Sequence, residues 1–78
     1  MPKSKPQIEI GQRAFEEVTR VFASLRVAKK MLGISSQQLL YDWMYGGAPS
    51  AKYLQRMHHC GADVIYILTG IRSAKNED

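Results

Sequence analysis

The stretch LGISSQQLLYDWMYGG, residues 32–47, sets two adjacent glutamines, a tyrosine and an aspartate among leucines and a tryptophan. A buried helix has no need of Gln37 beside Gln38, and a fully solvated helix has no need of Trp43. The combination fits a helix with one packing face and one reading face. A glutamine amide carries donors and an acceptor in one plane, which suits the adjacent N6 and N7 of adenine and planar polar targets in general.

Other reactive types are scarce. His58, His59 and Cys60 are consecutive, and neighbouring residues on a helix point about 100° apart, so the two imidazoles cannot easily share an ion. No second ligand pair stands at a useful spacing, and no metal site is expected. Cys60 is the single cysteine; it reads as a small apolar group in a chain without an internal disulfide, as in a reducing cytosol. The chain holds no glycine-rich phosphate loop, no carboxylate pair at a pocket-like spacing and no nucleophile beside a base. Neither an enzyme nor a cofactor is expected.

The elements that must position the glutamines are helical. Ala14, Phe15, Val18, Val21, Phe22 and Leu25 follow one apolar stripe, with Arg13, Glu16, Glu17 and Arg20 outside it. Val27, Ala28, Met31 and Leu32 continue the rhythm to Gly33, and Ser35 or Ser36 can cap the next helix. That helix carries Leu39, Leu40, Trp43 and Met44, with Leu39 and Trp43 as its anchor, and stops at Gly46-Gly47. Pro49-Ser50 open a fourth helix with Tyr53, Leu54 and Met57 inward, and Asp63 caps a short fifth, VIYILT, closed by Gly70. There is no good strand pattern, so the fold class is all-α, a compact five-helix bundle. Residues 1–7, with two prolines and two lysines, read as a flexible basic arm; residues 8–72 form one domain, and 73–78 a flexible tail.

The totals are compatible with a polyanionic partner. Seventy-eight residues make one small domain, and 11 basic against 7 acidic side chains leave a net charge of +4. No apolar run has the length of a membrane span and the N-terminus lacks a signal core, so a cytoplasmic protein is expected.

The segment PSAKYLQRMHHCGADVIYILTGIRS, residues 49–73, resembles the last two helices of the Xre/Cro-type helix-turn-helix domains of phage and prophage repressors. A Pro-Ser/Asp-Ala-x-Tyr-Leu start and a Gly-x-Asp-Val-x-Tyr-x-Leu-Thr-Gly close recur there. LGISSQQL is similar to the turn and recognition-helix start of the same family, so the resemblance spans about residues 20–73. It implies a lambda-repressor-like DNA-binding domain whose third helix enters the major groove of double-stranded DNA. Ser36, Gln37, Gln38 and Tyr41 would meet the bases; Arg26, Lys29, Lys30 and Ser35 would meet phosphates. If Val64, Ile67, Leu68 and Ile71 face the core, Ile65 and Tyr66 project outward, at the end where resembling repressors form a homodimer.

The sequence departs from the family twice. Lys29 stands four before Gly33, where the family has a small residue, and Ala28 stands five before; Trp43 falls one position later than the family's aromatic. Two segmentations follow. Helices over 12–22, 24–32 and 36–45 would give a separate recognition helix. One long first helix over 14–31, with 36–45 as the second, would leave only residues 44–48 before Pro49, too few for a turn and a reading helix. The rival function is a protein-interaction module, an antirepressor or antitoxin-like partner that grips a protein through Tyr41, Tyr45, Ile65 and Tyr66.

Overall fold

The computed structural model describes residues 5–72, so the tail over 73–78 and the first four residues lie outside it. Five helices follow one another: α1 Lys5–Val21, α2 Leu25–Leu32, α3 Gln37–Met44, α4 Ala51–His59 and α5 Val64–Thr69, with no strand among the described residues. None of these helices is long and apolar enough to cross a membrane.

The chain takes the segmentation with a break before α2. Ser24 is extended (φ −157°), and its hydroxyl accepts from the Val27 N–H at 3.2 Å, which ends one helix and starts the next. At the other end, α1 begins at Lys5, inside the stretch expected to be an arm. Pro6 lies in its first turn, where a missing N–H costs nothing, and Gln7 Nε2 donates to the Gly46 carbonyl at 3.2 Å. That contact ties the start of α1 to the end of α3.

The core is one cluster built from all five helices. Ala14, Val18 and Phe22 of the α1 stripe meet Ala28, Leu32, Ile34, Leu40, Trp43, Met57, Ala62 and Ile67. The stripe from Ala14 to Phe22 is as the spacing predicts. Val27 and Met31 are exposed instead, because α2 buries only the side carrying Ala28 and Leu32. The anchor of α3 is Leu40 with Trp43, both at most 1% exposed, whereas Leu39 is half-buried. Helices α1 and α3 approach closely at Gly11, where a Cβ would overlap the Trp43 carbonyl oxygen.

A second face of α1 also packs, and the charged spacing did not reveal it. Arg13 Nε donates to the Ile67 carbonyl at 2.9 Å, so it stoppers the end of α5. The Tyr66 hydroxyl donates to Glu16 at 2.7 Å. Glu17, expected outside, is wholly buried. Its carboxylate accepts from Arg20 Nη2 (2.7 Å) and Nε (3.0 Å), from Arg72 Nη1 (2.7 Å) and from the Asp63 N–H (2.9 Å). Burial alone would raise its pKa; the hydrogen bonds from Arg20, Asp63 and Arg72 outweigh that and lower it to about 2. Residues 13, 16, 17 and 20 thus form the polar stripe on which α5 docks.

Candidate functional site

The corner between α2 and α3 is built by its caps. Gly33 closes α2 at φ 69°, the left-handed region that glycine enters at no steric cost. With it there, the Ile34 N–H reaches the Lys29 carbonyl at 2.9 Å and the Gly33 N–H reaches Lys30 at 3.3 Å, a Schellman close. Arg56 of α4 donates from Nη1 to the Leu32 carbonyl at 2.8 Å, which fastens α4 to the same turn. Three residues later Ser36 opens α3, its hydroxyl accepting from the Gln38 N–H at 3.1 Å. Of the two serines offered for the cap, Ser36 takes it, and Ser35 is exposed in the turn.

The outward face of α3 carries two stripes. At 100° per residue, Gln37, Tyr41 and Tyr45 fall along one line, and Gln38 with Asp42 along the next. All five are exposed. The Tyr41 ring leans on Phe15 of α1, centroids 5.9 Å apart, and stays 38% exposed. Tyr41 is therefore part packing and part surface. Gln38 Nε2 donates to Asp42 Oδ1 at 3.0 Å, whereas no described partner engages the Gln37 amide.

Cations are distributed unevenly. Arg13, Arg20 and Arg72 are spent inside the molecule on carbonyls and on Glu17. From Phe22 to Ala62 the chain holds Arg26, Lys29, Lys30, Lys52 and Arg56 against one carboxylate, Asp42. No ion pair among the described residues involves any of these five. Lys30 is exposed and Lys29 half-buried in the last turn of α2, on the same corner as Ser35, Ser36, Gln37 and Gln38. Arg26 lies in the first turn of α2, about 6 Å from Lys30 along the axis at 1.5 Å per residue. Lys52 and Arg56, given no role from the sequence, flank the Tyr53 ring at 4.9 and 5.7 Å from its centroid. Their signal was the i, i+4 spacing on a helix that the apolar pattern had read only for its inner face.

The α5 end differs from expectation. Ile65 is exposed as expected, but Tyr66 is half-buried, bonded to Glu16 and covered by the Arg72 guanidinium 3.8 Å from its ring centroid. Leu68 and Ile71, expected in the core, are 46% and 71% exposed. Within the fold only Ile67 of this helix is fully buried, so the apolar surface here is Ile65, Leu68 and Ile71.

The His58 and His59 rings stand 5.7 Å apart at 57°, and no group of three His, Cys, Asp or Glu side chains placed to hold a metal occurs among the described residues. No known protein family, curated protein or solved structure matches the chain.

Proposed function

We propose that this chain is a sequence-specific DNA-binding regulator of transcription, of the Cro/repressor type, which docks as a homodimer with α3 in the major groove of its operator. The observation that carries this reading is the outward face of α3. It exposes polar and aromatic side chains, starts from a capped turn, and adjoins Lys30 and Ser35 on the same corner. An eight-residue helix is about 12 Å long, enough to cross the floor of a major groove about 12 Å wide. The break at Ser24 supports the reading because it leaves α2 and its turn as a separate unit ahead of α3. In this arrangement the unpaired cations supply sequence-independent affinity through phosphates, while Gln37, Gln38 and Tyr41 supply discrimination.

Selection from a random duplex library tests it, followed by binding of the winning site to wild type and to Gln37→Ala/Gln38→Ala. A palindromic consensus is expected. The double variant should lose about 1–3 kcal/mol of preference at the read positions. Weak, uniformly salt-sensitive binding without a consensus would remove the proposal. The second reading, a protein-interaction module, draws on the exposed Ile65, Leu68 and Ile71 together with Tyr45, which is 73% exposed. It predicts that substitutions at those positions abolish partner binding and that Gln37 and Gln38 are indifferent.

A further inference from the structure

Asp42 is out of place on a face meant for DNA. It is the one carboxylate between Phe22 and Ala62, and it is exposed on α3 among side chains assigned to base contact. A negative charge there repels every phosphate, so it weakens binding to all sequences unless some base repays it. None of the five cations of α2 and α4 pairs with it in the fold. Its one described side-chain contact is Gln38 Nε2, on Oδ1 at 3.0 Å, and no described side chain engages Oδ2 of this exposed residue.

The hydrogen bond also orients Gln38. A carboxylate only accepts, so the amide nitrogen must face Asp42, and the Gln38 oxygen and its second N–H remain for a ligand. The pair therefore presents a fixed order of groups along the helix face: amide first, bare acceptor one turn later.

We infer that Asp42 is a specificity-determining residue that selects cytosine in the major groove, an inference that rests on the DNA-reading role of α3. A group that can only accept finds N7 and O6 acceptors on guanine and an O4 acceptor on thymine. Adenine offers an amino donor, but its N7 acceptor lies beside it and repels the carboxylate. Cytosine alone carries an amino donor with no acceptor on its own major-groove edge: guanine O6 flanks that donor on one side only, whereas the adenine amino group lies between its own N7 and thymine O4. Discrimination then arises mainly through penalty: wrong bases leave a desolvated charge facing an acceptor, and the right base relieves it.

The test is library selection with wild type, Asp42→Asn and Gln38→Ala, each first confirmed to keep its helical circular dichroism. Asp42→Asn keeps the size of an exposed side chain and adds a donor. Wild type should enrich cytosine at one position of each half-site. Asp42→Asn should lower that preference roughly ten-fold, the scale of one good base contact, while binding unrelated duplexes more tightly. Gln38→Ala should keep the cytosine position and alter a neighbouring one. A wild-type consensus whose every position survives Asp42→Asn overturns the inference and leaves the DNA-reading role standing. Absence of any wild-type consensus overturns both.

Discussion

Glu17 shows how much one side chain settles. Its carboxylate joins α1 to the start of α5 through the Asp63 amide and to the end of the described chain through Arg72, with Arg20 gripping it in bidentate fashion. Its pKa is depressed, so the associated stability is present above the ordinary value of 4.5 and is lost as pH falls through about 2. That interval corresponds to on the order of 3 kcal/mol. Glu17→Gln should destabilise the fold by roughly 2–4 kcal/mol at neutral pH, since two guanidinium groups lose their counter-charge and one of the two oxygens becomes an N–H donor. Urea titrations should also show a flatter pH dependence between pH 4.5 and 2 than wild type; an unchanged profile would assign the acid sensitivity elsewhere. None of this was legible locally. Arg13, Glu16, Glu17 and Arg20 have the spacing of a solvated face, and only the placement of α5 against them, set 46 or more residues away, turns that face inward. The exposed first turn of α3 with Gln37 and Gln38, by contrast, was legible, because its cap Ser36 stands directly before it in the sequence.

Helix by helix, the local signals were good guides. Gly33, Gly70, Ser24, Ser36 and Asp63 all stand at the helix ends that their chemistry suggests. The start of α1 was the exception, since Pro6 and two lysines resemble a loose arm until the Gln7 side chain finds the end of α3. Ala28 is fully buried, and Lys29 beside it is only half-buried, so α2 turns its smallest side chain to the core. The tightest crossing is between α1 and α3 at Gly11. Gly11→Ala should force these helices apart and cost about 1–3 kcal/mol, as overpacking does, despite the better helix propensity of alanine. Thermal unfolding would register this as a loss of several degrees. A gain in Tm would mean that the two helices can slide.

At the scale of the whole molecule, charge and apolar surface are partitioned. The α1–α5 side is internally neutralised, and the net positive charge arises between Phe22 and Ala62. Lys29→Ala/Lys30→Ala should therefore weaken binding to specific and unrelated duplexes alike and reduce the salt slope by about one per lost phosphate contact. A change confined to one sequence would contradict a phosphate role. The α5 end exposes Ile65, Leu68 and Ile71; under the proposal that this patch forms the homodimer, Ile65→Glu should shift sedimentation toward monomer and abolish cooperative occupation of paired half-sites. Unaltered mass and cooperativity would place self-association on another surface. This patch was only partly legible, because α5 is six residues long and Ile71 lies beyond Gly70, where a helical period no longer tells which way a side chain turns. Trp43, the single tryptophan, is buried on the inner side of α3, whose outer side is the proposed DNA-reading face. The molecule thereby carries its own optical reporter: occupancy of the outer face should leave the indole emission wavelength fixed, whereas loosening of α3 from α1 should shift it to the red.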